Sequence, residues 1–333
     1  MYLLNNTSTF HVKSPADTYI YEIVADSKLG DALVSISSDN CLRVLNPLDL
    51  NGPPIREIKK VNEEVTCLKF LGESVVATAG RDGLVGLWDL RNGEKVGSVR
   101  SEQNAPILSL ACLSPNGLAA GTELTNHQAT VSIWDTRNLG QTMRQYIESH
   151  SDDVTELQFH PSHPSILLSG STDGLVNIYN TTIEDEEEAL HQTINHGSSI
   201  HHAGFLNDVD IFALSHDEKL AMHKLVTNTE ETVEEPLPVQ YGDLRELLGG
   251  EYVANVASRP DGGAVVGIGT HSRESFDLIH FNNSPPWTFA PESKVTLVGA
   301  HGSEIVRSFC FLDAHQTVLT AGIKKPKVTL YHA

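Results

Sequence analysis

One unit, written seven times at intervals of 42 to 53 residues, constrains this chain more than any other feature. Apolar runs begin near Ile20, Val65, Ile107, Val154, Ile200, Val253 and Ile305, and each opens a short pattern of strand, turn, strand, tight turn, strand. The tight turn often carries an Asp six residues before a large side chain: Asp82 before Trp88 in "GRDGLVGLWD", and Asp173 before Tyr179 in "STDGLVNIYN". The stretch "VTELQFHPSHPSILLSGSTDGLVNIYN" gives the clearest unit. Val154 to Phe159 alternates with period two, as a half-buried strand does. The prolines of "HPSHP" lack the amide donor a strand needs and fix φ, so they end that strand. Ile166 to Ser169 reads as a second strand, "TDG" as a hairpin turn and Leu175 to Tyr179 as a third strand. A fourth, weaker strand follows each unit. Only "GDLRELLGG", residues 242–250, has a helical period.

Seven four-stranded units with a period in the forties predict an all-β fold, a seven-bladed β-propeller filling residues 1–333 as one domain. The last unit runs out at "VTLYHA", just after its third strand. The segment 1–12 is the expected fourth strand of that blade. It would close the ring and hide sheet edges that an open array exposes.

Charge narrows the partners. Forty-three Asp and Glu face 23 Lys and Arg, a formal net charge of −20. Such a chain repels phosphate backbones, so direct nucleic-acid binding is not expected, and a basic protein is the natural client. The opening "MYLLNNTSTFHVKS" has no basic leader region, and no run approaches the ~20 apolar residues of a membrane helix. Cys41, Cys67, Cys112 and Cys310 show no paired spacing and read as reduced thiols, which suits a cytoplasmic or nuclear protein. None of the common nucleophile, phosphate-loop, dinucleotide or zinc motifs occurs, so no catalytic residue, cofactor or metal site is expected. His201 and His202 are consecutive on a strand and should face opposite ways, which argues against a shared metal.

The Trp-Asp phrases, the openings that end in His and the "SGSTDG" turn resemble the WD-repeat family. The likeness is most specific in "SDDVTELQFHPSHPSILLSGSTDGLVNIYN", "EDEEEAL", "ALSHDEKLAMHKL" and "YGDLRELLGGEYVANV". It implies a non-catalytic protein-interaction scaffold, a monomer within a larger complex. It also implies a structural role for His150, which with Ser169, Asp173 and Tyr179 would form a buried hydrogen-bonded set. His196 and His301 hold the equivalent positions, and Asp82, Trp88 and Trp134 are counterparts in blades two and three. Blade two has Val61 at the His position and blade three Gln128 at the Asp position, leaving blade four the one near-complete set.

Three surfaces are candidate partner sites. The acid runs Glu184, Asp185, Glu186, Glu187, Glu188 and Glu230, Glu231, Glu234, Glu235 occupy the same third-to-fourth-strand connection in consecutive blades. They should lie side by side as a surface for a basic protein, unless they are simply solvated loops. The phrase Trp-Asp-x-Arg occurs twice, ending in Arg91 and Arg137. It resembles the box shared by substrate receptors of cullin-4 ubiquitin ligases, the alternative function; the plainer expectation is that each Arg pairs with a nearby acid. On the opposite face Arg81, Asp152, Thr172, His216, Arg273 and Glu304 should ring the channel, with charges too mixed to name a ligand.

Overall fold

The computed structural model describes residues 2–12, 18–26, 32–72, 74–226, 237–322 and 327–332. Its strands form seven antiparallel sheets, one per repeat. The first strands open at Ile20, Val65, Ile107, Val154, Ile200, Tyr252 and Val306. Each touches the next in order, and the seventh (Val306–Leu312) touches the first (Ile20–Asp26), so the first strands form a ring around a central channel.

The middle strands are buried on both faces, because each sheet is sandwiched between two others. Ala264–Thr270 and Thr317–Gly322 have no exposed residue. Seven apolar clusters hold the ring, one at each boundary between consecutive blades, including that between blades seven and one. Packing is close enough at Gly267 that a Cβ there would sit 2.5 Å from the Phe309 ring. The hairpin of blade four turns on Gly174 at φ +86°, a conformation that side chains resist, and Asp173 accepts from the Leu175 N–H at 2.9 Å.

The N-terminal segment divides its pairing between two blades. Asn6–His11 pairs antiparallel with Lys327–His332 as the fourth strand of blade seven. Tyr2–Leu4 instead runs parallel to Val295–Leu297, adding a fifth strand to blade six. The expected single strand over 1–12 is thus two. The "GDLRELLGG" stretch holds a helix over Leu244–Leu248, capped by Asp243 and ended by Gly249 in the left-handed region. A second short helix, Glu186–Ala189, lies in the first acid run.

One irregularity recurs in all seven blades. Pairing of the first strand with the second skips one residue: Tyr21, Thr66, Leu108, Thr155, His201, Ala254 and Arg307 in turn. At such a bulge two residues oppose one, strict alternation fails, and consecutive side chains can be aimed the same way.

Candidate partner-binding surfaces

Buried polar sets inside the blades separate scaffold from surface. In blade four the His150 ring joins Asp173 Oδ2 at 3.0 Å through Nδ1 and Ser169 Oγ at 2.7 Å through Nε2. Ser169 donates on to Tyr179 Oη at 3.3 Å. Burial alone would raise the Asp173 pKa, but the bonds from His150 and the Ser151 N–H outweigh it and hold the carboxyl below its usual value. The His150 side chain is 1% exposed, so the set is a strut and not a contact surface.

Blade two corrects the expectation drawn from Val61. Asn62, one residue later, does the work of the missing histidine. Its Oδ1 accepts from Thr78 Oγ1 at 2.7 Å, its Nδ2 donates to Asp82 Oδ1 at 3.2 Å, and Trp88 Nε1 donates to Thr78 at 3.0 Å. Blade two is therefore as fully connected as blade four. Blade three has no such set: Trp134 packs into the apolar cluster between blades two and three, and Gln128 bridges Thr125 in a longer loop. In blade seven His301 Nε2 meets Thr320 Oγ1 at 3.0 Å.

Blade five breaks the set, and His196 is not equivalent in bonding to His150. Among the described residues His196 has no side-chain partner, and Nε2 of His223 has no partner. The strand registers explain why. Ser169 pairs with Leu157, three residues after Val154, and the matching position three after Ile200 pairs Ala203 with Ala213. Tyr179 is matched likewise by His223. The bridging hydroxyl has been replaced by a methyl, leaving His196 without a side-chain partner and Nε2 of His223 unsatisfied.

The doubled Trp-Asp-x-Arg phrase is a local clasp. Arg91 donates to both oxygens of Asp89, with Nη2 at 2.6 Å, and the Arg91 N–H caps the same carboxylate at 2.9 Å. Arg137 and Asp135 repeat this geometry. So do Arg245 and Asp243, outside any Trp-Asp phrase. The clasp thus follows from the spacing Asp-x-Arg itself. Arg91 and Arg137 remain 76% and 73% exposed on blades two and three.

In the first acid run, Glu186 must be subtracted. Its carboxylate accepts from the N–H groups of Ile147, Glu148 and Ser149 at 2.7 to 2.9 Å, and from the Ser149 hydroxyl, fixing the approach to blade four. Asp185 caps the helix through the Glu188 N–H at 3.1 Å. Glu184, Asp185, Glu187 and Glu188 stand exposed, with no basic residue in the helix's last turn. Glu230, Glu231, Glu234 and Glu235 lie outside the described residues. The chain leading to them does not: His191, two residues beyond the helix, meets the Val226 carbonyl at 2.6 Å, and Gln192 bonds both Lys224 and Val226. The outer strand of blade four is thus stitched to the segment that enters the second run.

The opposite face is mostly self-satisfied. Arg81 pairs with Glu123 at 2.5 Å and Glu64 at 3.5 Å. Arg273 donates to the Gly249 carbonyl at 2.6 Å. Asp152 caps Asp153, and Thr172 donates to the Asp153 carbonyl at 3.5 Å. Glu304 sits in the turn after His301, its N–H donating to that carbonyl at 3.2 Å. His216 bonds Ser199 Oγ at 3.0 Å through Nδ1 and stacks on His201 at 4.8 Å.

The channel itself carries charge that period-two reasoning hid. His201 and His202 do not face opposite ways; their rings are 4.2 Å apart, because the blade-five bulge falls at His201. His202 Nδ1 meets Glu156 at 2.9 Å, and Lys69 meets Glu22 at 2.7 Å. Burial opposes the Lys69 charge, but Glu22 and Glu156 outweigh it and raise its pKa. Cavities of about 470 and 210 Å³ share Lys69, Glu156 and Asn255 as lining. Among the described residues no group of three or more His, Cys, Asp or Glu is disposed to hold a metal ion. No helix among them is long and apolar enough to cross a membrane.

A model of the WD domain, G-beta repeat, matches residues 140–180. An uncharacterized WD repeat-containing protein of Saccharomyces cerevisiae is 36% identical over 274 residues, 80% of this chain and 68% of that protein. A second, from Schizosaccharomyces pombe, is 35% identical over 270 residues, 78% of this chain and 79% of its own length. The WD repeat-containing protein 89 homolog of Dictyostelium discoideum is 27% identical over 223 residues, covering 66% of this chain and 55% of that protein.

Proposed function

The chain belongs to the WD-repeat family, and from that premise we propose that it is a non-catalytic scaffold that binds or chaperones a basic protein through the acidic side of blades four and five. WD-repeat proteins generally act as protein-interaction scaffolds, and the fold class is typically non-catalytic. The observation that carries the finer reading is the stitched edge. The His191–Val226 contact ties four exposed carboxylates of blade four to the segment that leads into four more in blade five. Such a concentration repels itself unless a cation neutralises it, and exposed charge of one sign speeds encounter with a basic partner. Histones and ribosomal proteins are abundant clients of that chemistry. A cytoplasmic or nuclear monomer inside a larger complex fits this role, as does kinship with the protein 89 type. Within the fold, Asn6–His11 serves as the clasp that closes the ring.

The test is a pull-down with the full chain at physiological and raised salt. Screening acts beyond about 8 Å at physiological ionic strength, so basic clients should wash off steeply as salt rises. Changing Glu184, Glu187, Glu188, Glu234 and Glu235 to Gln, with Glu186 kept for its structural bonds, should remove them. Basic proteins retained at the same salt by that variant would show the runs to be solvated surface only.

A second reading, a substrate receptor of a cullin-4 ubiquitin ligase, draws on the outward exposure of Arg91 and Arg137 in adjacent blades. Arg91→Ala with Arg137→Ala should then release the ligase adaptor. Its absence from wild-type pull-downs ends that reading.

A further inference from the structure

The outer seam between blades three and four holds donors that have found no acceptor. The outer strand of blade three, Thr142–Tyr146, pairs regularly from Arg144 to Tyr146 against Ile133 to Val131, so these two side chains, two residues apart, share one face. That face is turned to blade four. The Tyr146 ring stacks on Tyr179 at 4.5 Å, and Arg144 Nη2 donates to the Thr182 carbonyl at 3.4 Å. Tyr146 is 1% exposed and its hydroxyl has no partner. Arg144 places Nη1 on the Met143 carbonyl at 2.7 Å, and its buried Nε has no acceptor. Arg91, Arg137 and Arg245 are each met by a carboxylate, whereas Arg144 meets only carbonyls among the described residues. A guanidinium has five N–H donors and no acceptor, so what this seam lacks is negative charge within bonding reach of Arg144.

The residue that Arg144 reaches can carry such a charge. Thr182 is exposed, and its hydroxyl donates to Asn180 Oδ1 at 2.7 Å. Thr181 beside it is 7% exposed, with its hydroxyl on the Ser165 carbonyl at 3.0 Å, and the Ser149 hydroxyl is held by Glu186. Thr182 is thus the hydroxyl of this seam that an enzyme can approach. Glu184 and Asp185 follow it two and three residues on, both exposed, and Glu187 and Glu188 stand exposed beyond them. Carboxylates just after a hydroxyl form a charge pattern by which a kinase with a basic substrate groove tells one hydroxyl from another.

We propose that Thr182 is a phosphorylation site for an acid-directed Ser/Thr kinase, and that Arg144 receives the phosphate. The Thr182 oxygen bonds to the γ-phosphorus of ATP, the bond from that phosphorus to the bridging oxygen breaks to release ADP, and the hydroxyl proton passes to the kinase. The phosphate offers its oxygens to the Arg144 guanidinium in charge-assisted bonds and so ties blade three to blade four. It also adds about 1.5 to 2 negative charges beside the exposed carboxylates of the first acid run. No client protein takes part, so this site and the basic-protein surface can fail separately.

The experiment incubates the full chain with ATP, Mg2+ and casein kinase 2, an acid-directed enzyme, and locates the label by mass spectrometry. Label is expected at Thr182 of the folded chain. It should fall about tenfold when Glu184→Gln is combined with Asp185→Asn, a pair that removes both charges and keeps a capping side chain at 185. The role of Arg144 is read from the phosphorus NMR signal of the labelled chain. Its titration midpoint, about 6 for an ordinary phosphomonoester, should lie about half a pH unit or more lower in wild type than in Arg144→Gln, with Arg144→Lys between them. No label at Thr182 of the folded chain overturns the proposal, also where an isolated peptide of residues 178–190 or other hydroxyls of the chain take it up. Label undiminished by the paired change at 184 and 185 overturns the acid-directed recognition, and equal midpoints in wild type and Arg144→Gln overturn the role of Arg144.

Discussion

At the scale of single residues, hydrogen-bond completeness distinguishes the blades. Leaving a buried partner unsatisfied costs about 1–3 kcal/mol, and a new buried bond contributes about 1 kcal/mol. Asp173→Ala and Asn62→Ala should therefore each lower stability by about 1–3 kcal/mol, read from thermal or denaturant unfolding. Ala213→Ser should raise it by about 1 kcal/mol, by restoring the hydroxyl between His196 and His223 that blade four keeps as Ser169. An unchanged midpoint for Asn62→Ala would show that Thr78 and Asp82 stand without it. The quartet of blade four was visible in the sequence because each member sits at a regular offset. Asn62 was not, because a shorter amide reaches the same hydroxyl from one position later. Glu186 was likewise hidden inside a charge run whose other members are solvated; nothing in "EDEEEAL" marks the one side chain that three amide N–H groups will claim.

At the scale of elements, the first strands announced themselves by apolar runs, since each buries a face in the boundary between blades. The bulges did not, since a skipped residue leaves no mark in composition, and period-two alternation alone puts His201 and His202 on opposite sides. The parallel pairing of Tyr2–Leu4 with blade six was equally silent: three residues carry no usable period. Deleting residues 1–12 should strip Asn6–His11 from blade seven and unpair the backbone groups of Lys327–His332 that face it, an edge prone to association. That protein should aggregate or become sensitive to protease, whereas deletion of residues 1–4 alone should be milder. A stable monomer lacking residues 1–12 would contradict the clasp.

At the scale of the whole molecule, buried imidazoles predict how the ring meets acid. His201 and His301 are lowered to about 3 and His223 to about 4, each foremost by burial. The unfolded chain takes up these protons more readily than the fold, so their contribution to stability is full above about pH 6.5 and is lost as pH falls toward 4 and below. Asp39 adds a later step. Burial would raise its pKa, but bonds from Arg43 and Ser37 bring it to about 2, so its contribution fades between about pH 4 and 2. Melting temperature should be level between about pH 7 and 8 and decline below 6.5, with a shallower decline in His223→Leu. An unchanged slope in that variant would exclude this imidazole from the linkage. The seven bulges have a last consequence. Thr66, Leu108, Thr155, His201 and Arg307 belong to none of the apolar clusters that join the blades. Tyr21 and Ala254 do pack in the clusters, and Thr66 and Thr155 donate to carbonyls of the next blade. At Leu108, His201 and Arg307, shape and contents are therefore encoded by different residues: these are sockets whose fittings can be exchanged one at a time while the wheel that carries them keeps its form.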